Sequence, residues 1–309
     1  MTEIVPLSDE AVARAAALIR DGQPVAVPTE TVYGLAADAT NGVAVAAIYA
    51  AKGRPSFNPL IVHVPDAGAA SAIAVLDGPA RRLAEAFWPG PLTLVLPARV
   101  DGPVAALTRA GLPTVAVRAP AHRAMRSLLA ASGRPLAAPS ANASGTISPT
   151  RAEHVARSLD GRIPLIIDDG PCALGLESTI ARVMHDGIAL LRPGPVAIDT
   201  LAEAAGLPVV RAPAGVQAPG QLASHYAPAA AVRLDATARR EGEWLIGFGA
   251  VAGDDTLSAD GDLVEAACRL FDALHRADLS GRPIAVAPIP ATGLGAAIND
   301  RLGRAAAER

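Results

Sequence analysis

Residues 28–64 read P-T-E-T-V-Y-G-L-A-A-D-A-T-N-G-V-A-V-A-A-I-Y-A-A-K-G-R-P-S-F-N-P-L-I-V-H-V, and the reading of this stretch decides the fold. The apolar run 24–28 runs straight into three hydroxyl side chains, Thr29, Thr31 and Tyr33. A helical pattern over 43–51 ends in Lys52-x-Arg54, and a second apolar run, 60–64, carries His63 near its end. Strand, helix and strand in this order make one α/β unit. In open α/β sheets ligands bind beyond the carboxyl ends of strands, where loops leave the sheet. Hydroxyls, cations and an imidazole at those ends are therefore candidates to converge on one crevice.

The same alternation continues outward. Ser8 reads as the N-cap of a helix running to about Arg20 and stopped by Asp21-Gly22. Further short apolar strands are predicted at 92–97, 114–118, 135–139, 164–168, 179–183 and 188–192, with helices near 67–75, 79–87, 121–132 and 150–159. This order predicts an α/β domain with a twisted, mixed or largely parallel sheet over 1–210. Residues 211–223 hold Pro, Gly and Ala without a period, the composition of a linker, taken here to extend to 228. Beyond it, an apolar run at 229–234, a strand at 244–249, a helix near 262–277, a strand at 284–289 and a helix near 294–307 suggest a βαβαβα order. That predicts a smaller Rossmann-like α/β domain over 229–309, small enough to dock on the first.

Composition narrows the function. The chain has 309 residues, 51% of them hydrophobic but only 3% aromatic, so its core is built from Ala, Val, Leu and Ile. Net charge is −3 with no basic arm, so binding of phosphates must come from a local cluster. The two cysteines, Cys172 and Cys268, have neither zinc nor disulfide-framework spacing. The acidic first residues lack the pattern of a signal peptide, and no apolar run approaches a membrane span of about 20 residues. A cytoplasmic protein with no metal site of its own is expected.

Of 27 basic residues, 26 are arginine and one is Lys52. A compact ammonium suits a tight anionic site where the planar guanidinium fork does not fit. The same lysine also reads as a solvated charge favoured by a helix C-terminus. Each further candidate carries a similar pair of readings. Arg118 and Arg192 end strands, where they clamp an anion or merely cap. The loop Pro139-Ser140-Ala141-Asn142-Ala143-Ser144-Gly145 offers donors to a polar substrate or is an ordinary turn. His63 is a pocket group or a satisfied strand histidine, and His122 a cap of the helix it enters.

Taken together, P-T-E-T-V-Y-G-L (28–35), K-G-R-P-x-x-N-P-L-I-V-H (52–63), W-P-G-P-L-T (88–93), T-V-A-V-R-x-P-x-H (114–122), A-P-S-A-N-x-S-G (138–145), E-S-T-I (177–180) and L-R-P-G-P (191–195) resemble, in this order, the YrdC-type threonylcarbamoyl-AMP synthases. The tail H-Y-A-P (225–228) resembles the longer, two-domain form. The resemblance implies ATP-dependent joining of L-threonine and bicarbonate with release of pyrophosphate, for the threonylcarbamoyl modification of a tRNA adenosine by a downstream transferase. It implies catalytic roles for Lys52 and Arg54 and threonine or bicarbonate contacts from Thr29, His63, Arg118, Ser140 and Ser178. Nucleotide contacts are implied for Lys52, Asn58, Thr114, Asn142, Ser148, Arg192 and Tyr226.

No phosphate-binding Gly-rich loop or kinase signature is present, so phosphates must be held by scattered Lys, Arg, Ser and backbone donors, with Mg²⁺ entering on ATP. Two other readings stay open at this point. One is a carbamoyl-adenylate transferase of the hydrogenase-maturation type, whose further modules this chain lacks; the other is a non-catalytic binder of double-stranded RNA. Neither a membrane nor DNA is expected as a partner.

Overall fold

A computed structural model describes residues 1–222 and 224–308; the expected linker includes Ala223 and the expected second domain Arg309, which lie outside the described residues. In chain order the first part holds β1 (Glu3–Pro6), α1 (Asp9–Arg20), β2 (Val25–Val27), β3 (Gly34–Asp38), α2 (Gly42–Lys52), β4 (Ile61–His63), α3 (Ala67–Ser71) and α4 (Gly78–Phe87). There follow β5 (Leu92–Pro97), β6 (Thr114–Arg118), α5 (Arg123–Ser132), β7 (Leu136–Ala137), α6 (Ala152–Leu159), β8 (Leu165–Asp168), β9 (Thr179–Val183), β10 (Ile188–Arg192), α7 (Ile198–Ala205) and β11 (Val209–Val210). The second part holds β12 (Val232–Arg233), β13 (Trp244–Gly247), β14 (Asp255–Thr256), α8 (Leu263–Leu279), β15 (Ile284–Val286) and α9 (Leu294–Ala305).

The caps explain where the helices begin. Ser8 Oγ accepts from the N–H of Ala11, Asn41 Oδ1 from those of Val43 and Ala44, and His122 Nδ1 from that of Ala124. Helix α2 stops at Gly53, whose φ of 60° is left-handed, and this puts Lys52 in its last turn.

The eleven strands form one mixed sheet in the order β1-β8-β2-β3-β7-β4-β6-β5-β9-β10-β11. Pairs β1/β8, β8/β2, β4/β6, β5/β9 and β10/β11 are parallel, and the others are antiparallel. Strand β3 has no counterpart among the strands expected from sequence. Its G-L-A-A-D composition is poor in β-branched residues, and the strand is held by pairing with β2 and β7 rather than by propensity. Residues 28–33 are consequently a hairpin loop between β2 and β3.

Alternation along the strands splits the core between two faces. Ala26, Leu35 and Ala37 face α2 and α6, whereas Val25, Val27 and Ala36 face α1 and α5. Across the other half of the sheet, Ile61, Val95, Ala116, Ile180 and Leu191 cluster with Ala212 and Ala218 of the linker, and among the described residues no helix joins that cluster. The linker is thus strapped over a sheet face, and burying each large aliphatic there contributes about 1.5–3 kcal/mol.

The second part is a four-stranded, all-parallel sheet in the order β12-β15-β13-β14. Its element order is βββαβα, which corrects the βαβαβα expected. Residues between β12 and β13 form turns around Arg233, whose guanidinium pairs with Glu243 at 2.6 Å, and no helix intervenes. Its core is shared with the first part: Val32, Ile147 and Leu176 pack with Tyr226, Phe271 and the apolar face of α8. Gly175 approaches α8 so closely that a Cβ would stand 2.4 Å from the Cys268 carbonyl oxygen.

Candidate active site

The crevice opens beside the β2–β3 hairpin, at the carboxyl ends of β4 and β6, where parallel pairing sets His63 opposite Arg118. In the hairpin, Thr29 Oγ1 accepts from the N–H groups of Thr31 and Val32 and donates to the Val32 carbonyl at 2.7 Å. Its proton being so committed, the 2.8 Å contact with Thr31 is donated by Thr31. Arg118 then donates Nη1 to Thr31 Oγ1 at 2.9 Å and Nε to the Gly90 carbonyl at 3.0 Å.

Arg118 Nη2 lies 2.6 Å from Glu30, off the axis of a directed hydrogen bond. The backbone N–H groups of Ala121 and His122 also serve Glu30. Burial opposes ionisation of Glu30, but Arg118 and these donors outweigh it and hold the carboxyl below its ordinary range. His63 is buried with Nδ1 unpartnered among the described residues, and burial together with Arg118 pushes its pKa down to about 3. It is a neutral imidazole at any working pH.

Across the crevice the charges change character. Arg54 donates Nε to the Asn58 carbonyl at 3.1 Å and Nη2 to that of Pro59 at 2.9 Å, and burial lowers its pKa to about 10. Arg192 donates Nε and Nη2 to the Ser178 carbonyl, and Nη2 also to Ser178 Oγ at 3.2 Å. Lys52, 2% exposed, donates to the carbonyls of Ser140 at 2.6 Å and Asn142 at 2.5 Å. Burial, then Arg54, drives its pKa well below the usual lysine value. Among the described residues none of these three cations has a carboxylate within 4.0 Å. A buried cluster of cations without anions is a site built for an anion.

Of the residues singled out from sequence, Thr29, Arg54, His63, Arg118, Ser140, Ser178, Arg192 and Tyr226 line the crevice. Lys52 and Asn142 stand behind it, tied together through the Asn142 carbonyl, and Ser148 is bonded to Glu177 at 2.5 Å. Asn58 is buried with both side-chain polar atoms unpartnered among the described residues, and it is not in the lining. Thr114 stands at the opposite end of β6, four residues or about 13 Å from Arg118. Tyr33 turns away, donating to the Gly170 carbonyl at 2.8 Å, and Thr179 bonds the Val196 backbone.

Sequence reasoning did not select Glu30, Glu177, Pro219, Gly220 or His225, all of which line the crevice. Glu30 and Glu177 sit inside the quoted motifs, where a carboxylate next to strand-end arginines was the available signal. Gly220 was hidden in the linker. Its φ is +84°, and a Cβ there would lie 2.7 Å from Tyr226 Oη and 2.8 Å from Arg192 Cδ.

Three buried imidazoles set an acid limit on the fold. His63, His225 and His275 each have a pKa depressed to about 3, burial being the main cause. Between that value and the ordinary 6.5 the unfolded chain binds protons that the folded one refuses, so this stability is fully present above pH 6.5 and is lost as pH falls. Denaturant unfolding is expected to show a loss of about 4 kcal/mol between pH 7.5 and 5.5, about 1.4 kcal/mol from each of the three groups. Carboxylates titrate lower and do not contribute in this window. A flat stability profile there would show that these rings are solvated or paired.

Comparison with known proteins gives a consistent set of relatives. A family model described as telomere recombination, spanning the Sua5, YciO and YrdC proteins, matches residues 17–194, and one described as threonylcarbamoyl-AMP synthase, C-terminal domain, matches 180–307. The threonylcarbamoyl-AMP synthase of Bacillus subtilis is 41% identical over all of this chain and 96% of its own length. The crystal structure of Pyrococcus abyssi Sua5 complexed with L-threonine superposes with a TM-score of 0.88 at 37% identity, covering 99% of this chain and 97% of that one. A variant of the same protein with an adjacent His and Tyr replaced by Ala superposes with a TM-score of 0.89 at 35% identity, covering 99% and 96%.

Proposed function

Since the chain belongs to the Sua5/YrdC family of threonylcarbamoyl-AMP synthases, we propose that it joins L-threonine, bicarbonate and ATP into threonylcarbamoyl-AMP with release of pyrophosphate. The observation that carries this reading is the division of one crevice into two electrostatic halves. One half holds the Arg118–Glu30 pair with the Thr29 and Thr31 hydroxyls and a neutral His63. The other is lined by Arg54 and Arg192 with Lys52 behind them, and its one carboxylate, Glu177, is held by Arg301. The first suits a zwitterionic hydroxy-amino acid, and the second suits a triphosphate.

The chemistry asks little of a general base. The amine of threonine adds to CO₂ derived from bicarbonate, giving a carbamate. A carbamate oxygen then attacks the α-phosphorus and displaces pyrophosphate, which makes the step a nucleotidyl transfer. Because the substrate supplies the nucleophile, the protein contributes position and charge, which fits a crevice whose histidines stay neutral. Mg²⁺ enters as part of the nucleotide: the crevice carboxylates Glu30 and Glu177 are engaged by Arg118 and Arg301, leaving the phosphates and water as its ligands. The product is a mixed anhydride that water destroys, so a transferase acting on a tRNA adenosine must consume it.

Pyrophosphate release measured with each substrate omitted in turn is expected to require all three. Full release without threonine would sink this reading.

A further inference from the structure

Arg301, on the last helix of the second part, is 0% exposed yet reaches the crevice wall of the first. It donates Nε to Glu177 Oε2 at 2.8 Å and Nη2 to the Pro193 carbonyl at 3.0 Å, pairs with Asp300 at 2.8 Å, and lies 5.2 Å over the Tyr226 ring. The other Glu177 oxygen accepts from Ser148. Both oxygens of this buried carboxylate are thus engaged. Arg192 donates to Ser178, the residue after Glu177, and is close enough to feel the Glu177 charge without pairing with it.

We propose that Arg301 is a positioning residue for the nucleotide half of the crevice: by holding the Glu177 carboxylate, it leaves the neighbouring Arg192 guanidinium free for an anionic substrate. The inference rests on the assignment of Arg192 to the nucleotide made above. A buried carboxylate deprived of its partner is strongly destabilised and turns to the nearest available cation. Here that cation is Arg192, one residue from the Pro193 carbonyl that Arg301 also holds. An Arg192–Glu177 pair would cancel a charge that the triphosphate needs. The second part, through one side chain, thereby sets the electrostatics of a site that the first part builds.

The test uses the full-length protein, with pyrophosphate release titrated against ATP and against threonine well below the melting temperature. Arg301→Met is expected to raise the KM for ATP about tenfold, the size of one charge-pair rearrangement, and to leave the KM for threonine within about twofold. Adding Glu177→Gln removes the stray carboxylate and is expected to bring the KM for ATP back towards that of the parent. Arg192→Ala is expected to raise the KM for ATP and serves as reference. A strut that only holds the two parts together predicts otherwise: both KM values rise together, or kcat alone falls, with no rescue by Glu177→Gln, and that result overturns the proposal. An unchanged KM for ATP in Arg192→Ala overturns the nucleotide assignment, and the proposal with it. Should Arg301→Met not fold, Arg301→Lys and the double variant decide. Both remaining within about threefold of the parent in KM for ATP supports the proposal, and a tenfold rise in the double variant overturns it.

Discussion

Replacing Lys52 by alanine is expected to lower pyrophosphate release by about a hundredfold or more, the scale seen when one preorganised charged donor is removed from a water-excluded site. Sequence left two readings of this lysine, a site group and a solvated helix end. Its burial against two carbonyls excludes the second. The ammonium pulls together the backbone of Ser140, which lines the crevice, and that of Asn142. Its removal releases the loop and takes away a positive charge at once. Two orphaned carbonyls cost about 1–3 kcal/mol each if water does not reach them, so a fall in melting temperature of several degrees should accompany the loss.

Lys52→Arg is the sharper probe, because it keeps the charge and changes the shape. Two acceptors at 2.5 and 2.6 Å converge on one tetrahedral nitrogen, and the longer, planar guanidinium does not bring an N–H pair to that point in so closed a space. Impaired turnover is the expected result, with a fall in melting temperature smaller than that of Lys52→Ala. Full activity of Lys52→Arg would mean that only charge is needed there, and the argument from the single lysine would fail.

Why that lysine could be singled out, and Arg301 could not, is a matter of where their partners lie in the chain. Lys52, Arg54 and His63 sit within the strand–helix–strand unit that declares itself through hydrophobic runs. The strand ends that carry Arg118 and Arg192 are legible for the same reason. Glu177 and Arg301 are 124 residues apart, and their pairing exists only because α9 docks beside the E-S-T-I segment. One arginine among 26 carries no local mark of that event. Strand β3 was hidden differently: a Gly/Ala-rich segment has weak strand propensity, and its neighbours impose the conformation. Thr114 shows the converse, since a motif names both ends of a strand and Thr114 stands at the end away from Arg118.

Tyr226→Phe is expected to raise the KM for ATP or to increase loss of product to hydrolysis, with the fold intact, whereas Tyr226→Ala should do both more strongly. A tyrosine at the end of the linker has two roles open to it, a lid over the crevice and an anchor for the second part, and the residue stands between the crevice and the second core. Its ring packs with His225 and Phe271 inside the second core, while its hydroxyl is buried beside the Arg192 guanidinium with no directed hydrogen bond among the described residues. A buried hydroxyl without a partner is costly, and a tyrosine at φ +62° is strained besides. A phosphate or ribose oxygen that met the hydroxyl would recover the first cost, so that binding would favour the closed arrangement. The strap leading to Tyr226 offers a direct readout. Arg211 is exposed and is the only Lys or Arg in 211–228, so trypsin reports on that segment at a single bond. ATP with threonine is expected to slow cleavage after Arg211 in the parent, and Tyr226→Ala to abolish that protection. Cleavage indifferent to both ligands, together with parental kinetics for Tyr226→Phe, would reduce Tyr226 to an anchor. The strap would then be a fixed cover for Ile61, Val95 and Leu191, and no part of the catalytic cycle.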